Sequence, residues 1–117
     1  MESELNTYAL ITGGSSGIGK ALAIELASRG YDIAIVALPN TGQEEVRQEI
    51  KSAYNVKFKS LELNILEKGA ISQISAWVIS EQMNLQILVN NAGIGYAAEF
   101  DTLEGSFIST VIDLNIK

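Results

Sequence analysis

The sequence predicts an α/β fold built on a doubly wound parallel sheet, and three observations predict it. Short apolar runs alternate with segments of helical period, a glycine-rich turn joins the first run to the first helical segment, and the composition is that of a packed globular chain. Alternation of this kind means parallel strands joined by right-handed crossovers. About four strands and four helices fit the pattern, fewer than the roughly six strands of a complete sheet of this class. The expected strand order is 3-2-1-4.

Tyr8-Ala9-Leu10-Ile11 is a short apolar run ending in Thr12-Gly13-Gly14, the mark of a buried strand entering a turn. From Gly17 the period changes. Ile18, Leu22 and Leu26, with Ala21 beside them, are expected on one helical face, and Arg29-Gly30 provides a cationic last turn and a glycine stop. Ile33 to Ala37 is the second buried strand, closed by Pro39-Asn40, and Thr41 or a neighbour caps a helix with Val46, Ile50 and Ala53 as its stripe. Val56 to Leu63 alternates in the manner of a strand near the sheet edge. A helix follows with Ile71, Ile74 and Val78 on one face and Trp77 close by. Ile87-Leu88-Val89 is a short strand running into Asn90-Asn91-Ala92-Gly93. Asp101-Thr102-Leu103-Glu104 reads as a capping box for a last helix carrying Phe107, Ile108, Val111, Ile112 and Leu114. That helix is apolar on more than one side, which predicts a cover on both sides, by further chain or by a second copy.

Composition narrows the function. The 117 residues suffice for one domain, and 14 acidic against 8 basic residues give a net charge of −6, which disfavours nucleic acid or an anionic membrane as partner. An anionic ligand would have to be held locally, by backbone N–H groups and a helix terminus. There is no cysteine and no histidine, so disulfides, thiolate nucleophiles, imidazole bases and the usual zinc ligands are excluded, and no metal site is expected. Met1 to Thr7 has neither a basic nor an apolar stretch of a leader, and no run is long enough to span a membrane; the cytoplasm is the expected compartment.

The chemistry lies in the turn Thr12-Gly13-Gly14-Ser15-Ser16-Gly17-Ile18-Gly19 between the first strand and first helix. Gly13 permits the sharp exit from the strand, Gly17 admits a phosphate close to the backbone, and Gly19 lets the helix press on the sheet. Free N–H groups at the helix start then favour a pyrophosphate by roughly 0.3–1 kcal/mol per contact. The spacing is Thr-Gly-x-x-x-Gly-x-Gly, and the fourth strand ends in Asn90-Asn91-Ala92-Gly93. With both motifs in register with the elements, the chain resembles the short-chain dehydrogenase/reductase family. The similarity runs over essentially all of residues 1–117 but matches only the N-terminal, NAD(P)-binding half of such an enzyme, a truncated Rossmann-type domain.

The resemblance implies cofactor roles for Gly13, Ser15, Ser16, Gly17, Ile18 and Gly19 at the pyrophosphate and for Asn91, Ala92 and Gly93 at the ribose, with Asn90 tying neighbouring strands together. After the third strand, where the family generally has an acid at adenine, this chain has Asn64, followed by Ile65 to pack the ring. After the second strand stand Ala37, Leu38, Pro39 and Asn40, with neither the acid that takes the ribose 2′-OH of NAD nor a base for the 2′-phosphate of NADP. Without an acid to repel the phosphate, the expected cofactor is NADP or NAD with a lean to NADP. Asn115 falls where the family places the asparagine of its proton relay, and the alternative for it is a helix cap or a buried amide bonded to backbone.

In the family a tyrosine protonates the substrate oxygen, with a lysine four residues later and a serine orienting the substrate. Tyr8, Tyr31, Tyr54 and Tyr96 are followed at that spacing by Thr12, Ile35, Phe58 and Phe100, so none qualifies. The expected whole protein is an NAD(P)-dependent oxidoreductase acting on a small-molecule carbonyl or alcohol, with this chain as its cofactor-binding half, inactive alone. A non-catalytic dinucleotide-binding module or redox sensor on the same fold is the alternative. The apolar last helix adds an expectation of homo-oligomers formed through it.

Overall fold

A computed structural model describes residues 7–14 and 17–90, together with the backbone of 110–112. Strand β1 (Thr7–Thr12) leads to helix α1 (Gly17–Ser28), β2 (Asp32–Ala37) to α2 (Gln43–Ala53), and β3 (Phe58–Glu62) to α3 (Ala70–Ser80). Strands β4 (Asn84–Asn90) and β5 (Thr110–Ile112) follow. All pairings are parallel and the sheet order is β3-β2-β1-β4-β5, so the anticipated 3-2-1-4 order is present with a fifth strand outside β4.

The alternation of side chains along each strand supplies two apolar layers. Tyr8, Leu10, Ala34, Val36, Leu85 and Leu88 face Ile74 and Val78 of α3. Ala9, Ile11, Ile33, Ile35, Ile87 and Val89 face Ala23 and Ala27 of α1 and Val46 and Ile50 of α2. Both faces of the inner strands are therefore covered, which is why they read as continuous apolar runs. Edge strand β3 is only half-buried, as its alternating sequence predicts, and Lys59 on it reaches Glu81 at 2.7 Å. In β4 the register against β1 shifts between Tyr8 and Ala9, which stand opposite Leu85 and Ile87, so that Gln86 is the extra residue of a bulge. That single extra residue lets Leu85 and Leu88 share one layer, and it carries the strand back to Asn84, beyond the three residues expected.

Helix faces differ from the sequence expectation in a consistent way. Alpha-1 turns its small residues, Gly19, Ala23 and Ala27, to the sheet, while Leu22 and Leu26 flank the contact and Ala21 and Ile18 are exposed. A helix laid close on a sheet needs small residues along its contact line, and the larger leucines fill the gaps at either side. Its glycine stop is as expected: Gly30 is left-handed (φ 94°), its N–H donates to Ala27 O, and the Tyr31 N–H reaches back to Leu26 O, the paired bonds of a Schellman stop, while Arg29, expected in the last turn, follows the final helical residue Ser28. Alpha-2 and α3 keep Val46, Ile50, Ile74 and Val78 inward, but Gln43 and Ala70 begin the stripes and Ala53 is exposed.

The last helix is the clear correction. Thr110, Val111 and Ile112 form a strand paired with Ile87, Leu88 and Val89, where a helical turn was expected. Three consecutive β-branched residues favour extended backbone, and a short apolar run does not distinguish strand from helix by period. The remainder of that segment, including Phe107, Ile108 and Leu114, lies outside the described residues. The argument for oligomers through an all-round apolar helix loses its structural ground with it.

Candidate functional site

The carboxyl ends of β1, β2, β3 and β4 lie along one edge of the sheet, each continuing into a loop. Beta-1 has β2 on one side and β4 on the other, so chain direction reverses its order of travel there; ligands of doubly wound sheets bind in the crevice outside such a point.

At the β1 corner the backbone does the shaping. Gly13 is left-handed (φ 70°) and its N–H donates to Val36 O at 2.7 Å, so its group serves the turn and the sheet. Gly14 then passes over β2 so closely that a Cβ would sit 2.5 Å from Ile35 Cγ2 and 3.3 Å from Ile11 O. Sequence reasoning passed over Gly14; its signal was the doubled glycine, of which the turn alone accounts for one. Gly17 is again left-handed (φ 58°), but a Cβ there would meet no atom of the described residues within 4 Å. Gly14 is thus constrained by packing, whereas no described residue fills the space beside Gly17 at the head of α1, where the first N–H groups have no partner inside the helix. Ile18, in that first turn, is left 46% exposed although it is apolar. Gly19 is buried against the sheet. Ser15 and Ser16 lie outside the described residues.

Beneath this corner Thr12 and Asn90 are both fully buried at the ends of β1 and β4. The Thr12 hydroxyl lies 3.2 Å from Asn90 Oδ1, to which it donates, and 3.5 Å from Val89 O. Asn90 therefore ties the two strands together, as the motif implied. Its Nδ2 has no partner among the described residues. A buried donor left unpaired costs about 1–3 kcal/mol, so an acceptor at this point of the crevice would be strongly favoured. Asn91, Ala92, Gly93 and Asn115 lie outside the described residues.

The β2 corner is shaped by side chains. Leu38 follows directly on β2 with its side chain 51% exposed. Its carbonyl accepts two hydrogen bonds, from Thr41 Oγ1 at 2.6 Å and from Gln43 Nε2 at 2.7 Å. Gln43 Oε1 accepts in turn from the Thr41 N–H at 3.2 Å. Asn40 and Gly42 are left-handed, which closes the loop in five residues. On the α2 side a hollow of ≈ 450 Å³ is lined by Asn40, Ser60, Glu44, Glu45 and Glu62 among others. Three carboxylates make it a poor seat for a phosphate.

At the β3 corner Asn64 makes a tight turn of its own: Oδ1 accepts the Leu66 N–H at 3.0 Å and its backbone O the Glu67 N–H at 3.0 Å. The carbonyl arm of the amide is thereby engaged and Nδ2 is the arm left to meet a base. Ile65 packs partly buried against the α3 layer, beside a hollow of ≈ 350 Å³ that Leu66 and Ile71 also line. The arrangement thus offers an open glycine turn, a helix amino end and two flanking loops. That fits a dinucleotide: the space beside Gly17 admits a diphosphate and the flanking corners admit an adenosine. Among the described residues no group of three or more metal-ligating side chains occurs, and no helix is long and apolar enough to cross a membrane.

Comparison with known proteins agrees with this geometry. A very-long-chain 3-oxoacyl-CoA reductase of Danio rerio is 32% identical over 97% of this chain and 37% of its own length. A 3-oxoacyl-(acyl-carrier-protein) reductase of Staphylococcus epidermidis is 33% identical over 97% of this chain and 46% of its length. The chain therefore spans less than half of either relative. Among solved structures, an actinorhodin polyketide ketoreductase variant with NADPH superposes with a TM-score of 0.69 at 28% identity, covering 80% of this chain and 35% of that one. The family described as short chain dehydrogenase matches residues 7–117, and it is to this family that the chain belongs.

Proposed function

We propose that the chain is the cofactor-binding half of an NADP(H)-dependent oxidoreductase that interconverts a small-molecule carbonyl and its alcohol. One observation carries the reading. Gly17 holds a left-handed backbone at the head of α1 beside space that no described residue fills, while Gly14 of the same turn is pressed on the sheet. Gly13 and Gly14 bend the chain clear of the strand ends; the N–H groups opening α1 receive the diphosphate; Ile18 covers it from the solvent side. Asn64 Nδ2 and Ile65 would meet the adenine, and Leu38 the adenosine ribose. Bound there, the nicotinamide supplies or accepts the hydride. Ser15, Ser16, Asn91, Ala92 and Gly93 complete the cofactor contacts in this proposal, and Asn115 serves the proton path.

The names of the relatives, two 3-oxoacyl reductases and a ketoreductase with NADPH, support ketone reduction and the phosphorylated cofactor. The absence of an acid at Leu38–Asn40 supports the latter independently. No tyrosine of the chain has a lysine four residues on, so we expect this stretch alone to bind the cofactor without turnover. Thermal unfolding with NADPH and with NADH tests the proposal. At about a hundred times its Kd the preferred cofactor stabilises by roughly 2.7 kcal/mol. No stabilisation of a folded protein by either dinucleotide would refute it.

A further inference from the structure

The β2 corner contains a polar side chain that neither the glycine motif nor the strand ends require. Gln43 is only 8% exposed, yet both arms of its amide are engaged inside one loop, Nε2 to Leu38 O and Oε1 to the Thr41 N–H. Burying an amide is unfavourable unless it is so bonded, and an apolar residue at this first position of α2 would extend the stripe of Val46 and Ile50. The glutamine is accounted for by what it does to Leu38. A carbonyl oxygen has two lone pairs, and here both have donors, Thr41 Oγ1 at 2.6 Å and Gln43 Nε2 at 2.7 Å. Leu38 stands immediately after the second strand, at the position from which sheets of this class read the adenosine ribose. No acidic side chain stands among Leu38, Pro39 and Asn40, the glutamates of this corner (Glu44, Glu45 and Glu62) lining the hollow on the α2 side, and the Leu38 carbonyl is turned into the loop and saturated.

We infer that Gln43 is a specificity-determining positioning residue. By holding the Leu38 carbonyl in the loop, it removes that oxygen as an acceptor for a 2′-hydroxyl and spares a 2′-phosphate from a facing oxygen dipole. Selection for the phosphorylated cofactor is thus made by withdrawing an acceptor, where a basic side chain would attract the phosphate outright. The inference rests on the dinucleotide reading above and deepens it.

Titration calorimetry of the wild type, Gln43→Leu and Gln43→Met with NADPH and with NADH is the test. Releasing one of two bonds on the Leu38 carbonyl is expected to raise NADH affinity and lower NADPH affinity, so that their ratio falls about tenfold. Gln43→Met also loses the donor to Leu38, adds no charge and keeps the length of the side chain, and is expected to follow Gln43→Leu; it is the variant to read if the leucine does not fold. A merely structural role would weaken both cofactors together and leave the ratio within twofold, which overturns the inference. A wild type that favours NADH would refute the NADP preference, and with it the direction of selection assigned to Gln43. A wild type that binds neither dinucleotide would remove the site itself.

Discussion

The β1 and β2 corners leave the same edge of the same sheet and are built by opposite means. At β1 the turn is shaped by its glycines, and its shape follows from what they lack: left-handed backbone at Gly13 and Gly17, and a contact at Gly14 that a Cβ would close to 2.5 Å. At β2 the turn is filled by side chains, with Thr41 and Gln43 bonded into it. The difference follows from what each must admit. A diphosphate has to approach backbone N–H groups directly, so atoms in between are excluded. A ribose edge is read by which acceptors face it, and acceptors are aimed by hydrogen bonds.

Substitutions can break that contrast. Ile35 is the floor on which the glycine turn rests, and Ile35→Ala should produce the largest effect, a loss of about 2–5 kcal/mol in urea unfolding. If Gly14 is constrained by that floor, Gly14→Ala should be better tolerated in the Ile35→Ala background than alone; strict additivity would remove the contact from the account. Gly17→Val should abolish the roughly 2.7 kcal/mol of stabilisation by saturating NADPH, measured by thermal unfolding, because the side chain would occupy the open space at the helix head. Retained stabilisation would place the diphosphate elsewhere. Thr12→Val removes the hydroxyl beneath the β1 corner and leaves Asn90 Oδ1 buried without its donor; a loss of about 1–3 kcal/mol is expected, measured by chemical denaturation. Lys20, which bridges α1 to Glu49 of α2 at 3.2 Å on the exposed side, is the smallest case. Lys20→Ala should cost less than about 1 kcal/mol, and the effect should fade in high salt.

Legibility varied from residue to residue for physical reasons. The inner strands and their order could be read because runs buried on both faces are apolar throughout and alternate with helices. Gly13 and Gly17 could be read because a strand-to-helix turn has few alternatives, and the Schellman stop at Gly30 because a glycine after a helical stripe ends it. The inward face of α1 was misread: hydrophobicity ranks Leu22 and Leu26 above Ala23 and Ala27, whereas proximity to a sheet ranks by size. Beta-5 was misread because Thr110-Val111-Ile112 satisfies a helical stripe and a strand equally, and pairing with β4 decided the matter. Gln43 could not have been singled out, since an amide in the first turn of a helix is ordinary until its two partners are known.

The order of residues along the chain, by itself, determined the alternating architecture, the membership of the glycine turn and the absence of acid or base after β2. Those are matters of composition and period, which local sequence carries. Tertiary structure alone decided that Gly14 is held by packing on the sheet, and where the Leu38 carbonyl points. Both depend on atoms distant in sequence or on the direction of a hydrogen bond. Ile35 stands beneath Gly14 only because two parallel strands lie side by side.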